Sequence, residues 1–188
     1  MMTHSAVRQD ALPDDMRLLL RDYPRDAWPD HPNFAASIQN WMGAHTMFRQ
    51  LARAVRLNSE GYLDRSIAPD IYGARLSHYG NLLVRNLHGH HSWEDRSFFP
   101  ELSAADPRFD AGLDTLESDH ATLDQVLDRF KRHANRAVQL IQLDEKQAAS
   151  EAGDVERSAI EIEALLTRHL VDEEDLVVPI LLHHKMRG

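Results

Sequence analysis

The sequence predicts an all-α protein, an antiparallel up-down four-helix bundle with an extra short N-terminal helix. Four long segments of the 188-residue chain carry apolar residues at the three- and four-residue spacing of an amphipathic helix. No segment shows the two-residue alternation and the hairpin turns that are typical of strands. The connections between the four segments are short, except for a loop expected over residues 58–73, and short connections favour antiparallel neighbours.

The beginning of the chain is predicted to be an extension outside the bundle. A short helix is expected over residues 10–21, where four apolar side chains recur: Leu12, Met16, Leu19 and Leu20. Three prolines then favour an extended connection: Pro24, Pro29 and Pro32. We therefore divide the chain into an N-terminal extension, residues 1–30, and a bundle, residues 31–188.

Start and stop signals place the four helices of the bundle. They are expected over about residues 33–58, 74–102, 106–142 and 144–184. Asp106 and Pro107 form a helix start, with Asp as the N-cap and Pro at the first helical position. Asp144 with Gln147 fits a capping box for the last helix. Pro179 should bend or end that helix, because proline cannot donate a backbone hydrogen bond.

The composition argues against several classes of protein. The net charge is −9, which disfavours a nucleic-acid partner because a phosphate backbone is bound by a basic face. The absence of cysteine excludes disulfides, thiolate zinc sites, iron–sulfur clusters and thiol catalysis. The longest apolar run, residues 176–182, is far shorter than the roughly 20 residues of a membrane span. No secretory signal is visible, so we expect a soluble, cytoplasmic protein.

Histidine is unusually frequent, with 12 residues, and in a chain without cysteine it is the obvious metal ligand. Each predicted long helix carries one histidine within its apolar stripe, on the core face: His45, His90, His120 and His169. Glu94 follows His90 by one turn and Glu173 follows His169 by one turn, so each pair points at one spot. Asp124 has the same offset from His120.

The four core histidines are expected at one level of the bundle. Residues of an antiparallel pair are level when they lie equally far from the connecting loop, and the mismatches here are only about 1.5–5 Å. Four imidazoles with two or three carboxylates exceed the needs of one ion. Such a set suits two iron or manganese ions bridged by carboxylates.

Four motifs in sequence order resemble the hemerythrin-like HHE cation-binding domain over about residues 31–184. They are Trp41-Met42-Gly43-Ala44-His45, His90-His91-Ser92-Trp93-Glu94-Asp95, Glu117-Ser118-Asp119-His120 and His169-Leu170-Val171-Asp172-Glu173-Glu174. The resemblance implies a non-haem centre of two iron ions, for which manganese or zinc could substitute. It also implies that His45, His90, His120 and His169 are terminal ligands, and that Glu94 and Glu173 bridge the ions.

Four further residues stay open as ligands: His91, Glu117, Asp124 and Glu174. His91 competes with His90 because it forms its own one-turn pair with Asp95, a candidate outer hydrogen-bond acceptor. Glu117 precedes His120 by three residues, as in ferritin-like proteins, but no second such pair exists. Oxygen-carrying hemerythrins have histidine at the position of Asp124 and a carboxylate at that of Glu174, which argues against simple reversible oxygen transport. The other seven histidines are expected to face solvent: His4, His31, His78, His88, His133, His183 and His184.

The leading hypothesis is a di-iron protein that binds or reacts with oxygen, peroxide or nitric oxide, as a sensor or as a peroxide- or oxygen-consuming enzyme. The alternative is iron binding without turnover, for storage or buffering, and a purely structural bundle is a third reading. The expected partner is a small diatomic or peroxide ligand. The sequence names no protein partner and leaves monomer and homodimer open.

Overall fold

A computed structural model describes residues 8–187, and every secondary structure element found there is helical, which confirms the all-α prediction. The five α-helices are α1 (Ala36–Leu63), α2 (Pro69–Trp93), α3 (Phe99–Ala105), α4 (Asp110–Leu140) and α5 (Glu145–His183). A π-helical turn, Glu94–Phe98, joins α2 to α3, so the two read as one long helix. Residues 1–7 of the predicted N-terminal extension, with His4, lie outside the described residues.

The predicted loop over residues 58–73 is wrong in extent, because α1 runs to Leu63 and α2 begins at Pro69. Gly61 lies inside α1, where a Cβ would come within 2.6 Å of the Ile67 side chain. The glycine therefore permits the returning chain to pack closely and does not end the helix. Arg65 makes the turn with a φ of 60°.

Pro179 does not end the last helix, since α5 continues through it to His183. The whole stretch from Leu176 to Leu182 is buried, and this packing outweighs the backbone hydrogen bond that proline removes.

The two residues predicted to start helices, Asp106 and Asp144, both act as N-caps in the structure. Asp144 accepts a hydrogen bond from the backbone N–H of Gln147, and Asp106 caps a short 3₁₀ turn before α4.

The short helix expected over residues 10–21 is two 3₁₀ helices, Asp14–Met16 and Leu18–Arg21, separated by Arg17. A third 3₁₀ helix covers Arg25–Ala27. Three apolar side chains anchor this segment to the protein in place of one continuous helical stripe: Leu12, Leu19 and Trp28, each at most 7% exposed.

The hydrophobic core is divided into two clusters with a polar layer between them. Phe48, Leu87, Leu123 and Leu170 belong to one cluster. The other contains Trp41, Phe98, Leu116 and Leu176, together with the anchors of the N-terminal segment. The buried histidines and acidic residues of α1, α2, the π-helical turn, α4 and α5 lie between these positions in sequence, except for His169, which directly precedes Leu170.

Contacts between neighbouring helices pair rising residue numbers on one helix with falling numbers on the other. His45 and Tyr62 of α1 contact His90 and Tyr72 of α2, respectively. His120 of α4 contacts His169 of α5, while His133 contacts Glu151. Within residues 8–187, no helix is both long and apolar enough to cross a membrane.

Candidate metal centre

The polar layer contains two groups of side chains whose donor atoms lie within 4.8 Å of one another. We call them the two-histidine group, His45, His90, Glu94 and Glu173, and the three-histidine group, His91, His120 and His169. Their members come from α1, α2, α4 and α5, with Glu94 at the start of the π-helical turn. All are buried except His90, whose side chain is 10% exposed.

The two-histidine group is held by close contacts among ligand-type atoms. Nε2 of His45 lies 3.1 Å from Nε2 of His90. The His90 Nε2 atom is 2.8 Å from Oε1 of Glu94, and the His45 Nε2 atom is 3.3 Å from Oε2 of Glu173. Two imidazoles and two carboxylates therefore converge on one point.

The three-histidine group converges in the same way. Nε2 of His120 lies 3.1 Å from Nε2 of His169. The His91 ring stacks on that of His120, with centroids 3.9 Å apart and an interplanar angle of 12°. Both ring nitrogens of His91 are buried and have no hydrogen-bond partner among the described residues.

The two glutamates connect the groups. Oε2 of Glu94 is 3.7 Å from Nε2 of His120, although Oε1 of the same carboxylate contacts His90. Oε2 of Glu173 is 3.9 Å from Nε2 of His169 and also contacts His45. Each carboxylate thus reaches a histidine of both groups, which is the placement that a bridging ligand needs.

The outer nitrogen of three histidines faces a carboxylate. Nδ1 of His45 is 2.9 Å from Glu174, Nδ1 of His120 is 2.6 Å from Asp95, and Nδ1 of His169 is 3.2 Å from Asp119. Because an ionised carboxylate only accepts, the proton of each neutral imidazole resides on Nδ1. The Nε2 lone pairs then point inward, as in histidines that ligate metals.

This arrangement of donors fits a cation. The Nε2 lone pairs of His120 and His169 would repel at 3.1 Å, and Oε2 of Glu94 and both carboxylate oxygens of Glu173 are buried without a hydrogen-bond partner among residues 8–187. Leaving such buried acceptors unpaired is costly. Metal ions between the imidazoles and the carboxylates would remove both costs, so the residues present suit a two-ion centre.

Burial also sets the protonation of the donors. It lowers the pKa of His45, lowers that of His91 well below its usual range, and lowers that of His169 to about 4. These imidazoles are therefore neutral near pH 7, which is the form that binds metal.

The two glutamates differ in pKa. For Glu94, burial raises the pKa, but hydrogen bonds from His90 and Trp41 and electrostatic interactions with His90 and His120 outweigh burial and lower it to about 2. Burial, followed by the negative charge of Glu94, raises the pKa of Glu173 well above the ordinary value. A cation between the two carboxylates would offset this repulsion.

The structure brings together all six principal residues predicted from the sequence: His45, His90, Glu94, His120, His169 and Glu173. His91, which the sequence offered as a competitor of His90, lies among other histidines. The two neighbours enter different groups, His90 beside His45 and His91 beside His120. Asp95, expected to pair with His91, contacts His120 instead.

The other three alternative ligands lie outside both groups. Glu174 contacts the outer nitrogen of His45, and its second oxygen accepts a hydrogen bond from Arg25. The side chain of Asp124 is 50% exposed and faces His88 at 3.6 Å. Glu117 is exposed on α4.

The sequence analysis missed Asp119, Arg8 and Arg25. Asp119 precedes His120 in the quoted motif, yet it serves His169 on the neighbouring helix. The π-helical turn was also missed. It makes the adjacent residues Phe98 and Phe99 both face the core, and such turns are frequent at functional sites.

A third histidine–carboxylate group lies at the far end of α4 and α5 and includes His133, Glu151 and Asp154. Arg136 also pairs with Glu151, and Arg157 pairs with Asp154. These cations already neutralise the carboxylates, so we interpret the group as a partly exposed ion-pair network. Of the other histidines expected at the surface, His78, His88 and His183 are exposed, whereas His31, His133 and His184 are half-buried.

A comparison with protein families agrees with this geometry. The model of the Hemerythrin HHE cation binding domain matches residues 36–181, a range that includes every member of both groups. Comparisons with curated proteins and with solved structures found no match.

Proposed function

Because the chain belongs to the hemerythrin HHE cation-binding domain family, we propose that it is a non-haem di-iron protein that binds or reacts with oxygen, peroxide or nitric oxide. The observation that carries this proposal is the pair of histidine groups joined by two glutamates, each of which reaches both groups. A single ion would leave one histidine group without a metal.

The candidate ligands would divide unequally between two ions. One ion would be held by His45 and His90, and the other by His91, His120 and His169, with Glu94 and Glu173 shared between them. The ion with two histidines has fewer protein donors, and His90 is the most exposed of the ligands. We therefore propose that a small ligand approaches on this side.

Bound iron would supply the redox and Lewis-acid chemistry, whereas the protein would position the donors and exclude water. The indole N–H of Trp41 donates to Oε1 of Glu94 at 2.8 Å and holds this carboxylate in place. Phe48 packs on the ring of His90, and Phe99 stacks on the ring of His120. These aromatic side chains keep the imidazoles dry and fix their orientation.

Iron is the proposed metal because the donors are imidazoles and carboxylates without thiolate, a set that suits iron. Manganese and zinc accept the same donors and are the expected substitutes. The metal content of the full-length protein after anaerobic expression tests this assignment, with two iron ions per chain as the expected result. Less than about one iron per two chains would overturn it.

Reactivity is tested on the reduced, iron-loaded protein. Adding oxygen, peroxide or nitric oxide should change the absorbance spectrum of the centre. A spectrum that none of these reagents alters contradicts reactive chemistry and favours the second candidate function, iron storage or buffering without turnover. Burial supports that alternative, because all seven ligand side chains are at most 10% exposed.

The arrangement of the helices, the cellular location and the oligomeric state belong to the same proposal. We propose that the four long helices run antiparallel in up-down order, which the opposed pairing of His45 with His90 and Tyr62 with Tyr72 supports. A cytoplasmic location and a monomeric or homodimeric state stay predictions.

A further inference from the structure

We propose that Arg8 and Arg25 are positioning residues of the metal centre, so that the N-terminal segment completes a site built mainly by the bundle. Both arginines precede residue 36, where the match to the family begins. Each binds a carboxylate that in turn accepts a hydrogen bond from one ligand histidine. The inference rests on the proposed metal-binding function.

Arg25 acts on the two-histidine group through Glu174. Its Nη1 donates to Oε2 of Glu174 at 2.8 Å, while Oε1 of that carboxylate is 2.9 Å from Nδ1 of His45. The guanidinium is fixed further by Asp175, at 2.5 Å, and by the backbone carbonyl of Val171, at 2.9 Å. Arg49 of α1 lies more distant from Glu174, at 3.8 Å.

Arg8 acts on the three-histidine group through Asp119. Its Nε and Nη2 donate to the two oxygens of Asp119 at 3.2 and 2.5 Å, a bidentate pairing. Oδ2 of Asp119 is 3.2 Å from Nδ1 of His169. Nη1 of Arg8 also donates to Asp172, a fully buried carboxylate that Arg168 pairs with as well.

The two series of contacts are equivalent. Arg25 and Glu174 act on a histidine of one proposed ion, and Arg8 and Asp119 act on a histidine of the other. Both Asp119 and Glu174 are almost fully buried, so without their arginines they would be acidic groups with little solvent to stabilise their charge. Asp95, the outer partner of His120, is 29% exposed and has solvent for this purpose. The arginines therefore pair with the two outer carboxylates that solvent reaches least.

Two effects on the metal centre follow. A bidentate arginine fixes the carboxylate, and the carboxylate fixes the orientation of the imidazole. The guanidinium charge also draws electron density from the carboxylate, which makes the histidine a weaker donor and favours the lower oxidation state of iron. Removing either arginine should therefore loosen the metal and lower the midpoint potential.

The test compares Arg8→Gln and Arg25→Gln with the matched control Arg17→Gln in the full chain. Arg17 lies on the same segment and pairs with Asp175 and Asp14, but within residues 8–187 its ion pairs include neither Asp119 nor Glu174. For each protein, the iron content, the rate of iron loss to a chelator and the midpoint potential are measured. Thermal unfolding of the metal-free proteins shows whether each variant folds.

We expect Arg8→Gln and Arg25→Gln to lose iron about three- to tenfold faster than the control. Mutation of a residue that holds a metal ligand in place commonly changes the metal affinity by about tenfold or more. The midpoint potential should fall, by about 30 mV for a threefold change in the relative affinity for the two oxidation states. Arg8→Lys and Arg25→Lys should recover most of the potential but not the slow iron loss, because lysine restores the charge without the bidentate geometry.

The inference is overturned if Arg8→Gln and Arg25→Gln bind as much iron as the unmodified protein and match Arg17→Gln in both the rate of iron loss and the midpoint potential. If the glutamine variants fail to fold, the lysine variants carry the test against Arg17→Lys, and equal release rates overturn it. Failure of the proposed function gives a different result, because the unmodified protein itself would then bind no iron.

Discussion

Nε2 of His120 lies 3.1 Å from Nε2 of His169, although the opposite nitrogen of each ring faces a carboxylate. With the proton of each neutral ring held on Nδ1, the two inner nitrogens present lone pairs to each other. His45 and His90 repeat the contact in the two-histidine group. Without a cation, the repulsion between His120 and His169 would persist in a buried layer, which favours the proposed metal centre.

The assignment of His91 to the three-histidine group predicts the effect of His91→Ala. This variant should lose one of the two iron ions, or bind it at least tenfold more weakly, because both ring nitrogens of His91 have no other partner in the described chain. The readout is iron per chain after dialysis against a weak chelator. His88→Ala is the matched control, because the side chain of His88 is 65% exposed on the same helix. Retention of both ions in His91→Ala would contradict the assignment.

The bridging role predicts that Glu94→Ala and Glu173→Ala each reduce the binding of both ions. Each carboxylate contacts a histidine of both groups, so its loss removes a donor from each ion. Iron analysis should show less than half of the unmodified content for either variant. Glu101→Ala controls for loss of a glutamate, since its side chain is 46% exposed on α3. Full iron content in both bridging variants would show that the assignment is wrong.

Asp124 and Glu117, which the sequence left open as ligands, should be dispensable. Both side chains are exposed, and Asp124 faces His88 away from the polar layer. Asp124→Asn and Glu117→Gln should keep two iron ions per chain and change the free energy of unfolding by less than about 0.5 kcal/mol. Iron analysis with denaturant unfolding checks both statements. A loss of iron in either variant would return that residue to the ligand set.

The helical periodicity was sufficient to predict the convergence of the six principal residues in the polar layer. His90 with Glu94 and His169 with Glu173 are one-turn pairs on core-facing stripes, and local geometry alone brings such pairs together. His91 shows the limit of this reasoning. A position about 100° round the helix from His90 was interpreted as a rival of His90, whereas the structure places the two neighbours in different groups.

The outer contacts could not be predicted because they join distant parts of the chain. Arg8 and Asp172 are separated by 164 positions, and no periodic pattern links a 3₁₀-rich segment to the last helix. The prediction of one short helix over residues 10–21 was wrong for a related reason. Four apolar residues fit a helical stripe, but buried contacts of Leu12 and Leu19 with the bundle decide the backbone conformation.

Trp41→Phe should destabilise the metal-free protein through Glu94. The substitution keeps an aromatic ring but removes the N–H that donates to Oε1 of this fully buried carboxylate. His90 still contacts this oxygen at 2.8 Å, so the cost is that of one hydrogen bond to a charged group, about 1.5–3 kcal/mol. Urea unfolding measures the change, and Trp93→Phe is the control because Trp93 is 42% exposed. Equal stability of the two variants would mean that the indole hydrogen bond contributes nothing.

The raised pKa of Glu173 predicts that the stability of the metal-free protein depends on pH. Burial and the charge of Glu94 raise the pKa of Glu173, so the folded protein retains its proton to a higher pH than the unfolded chain does. The folded state therefore binds more protons above the ordinary pKa of about 4.5, and the contribution of Glu173 to stability falls as pH rises through this range. Glu173→Gln keeps the shape and cannot ionise, so it should gain stability relative to the unmodified protein as pH increases.

The comparison isolates Glu173 because the other buried groups are common to both proteins. Burial lowers the pKa of His45, His91 and His169, which makes stability rise with pH up to about 6.5, the ordinary value for histidine. Apart from the change that loss of the Glu173 charge causes at His45 and His169, which it contacts, that trend cancels when the two unfolding free energies are subtracted at each pH. Urea unfolding between about pH 5 and 8 gives the difference, with Glu101→Gln as a matched control at an exposed position. A difference that stays constant with pH would mean that Glu173 ionises alike in the folded and unfolded chains.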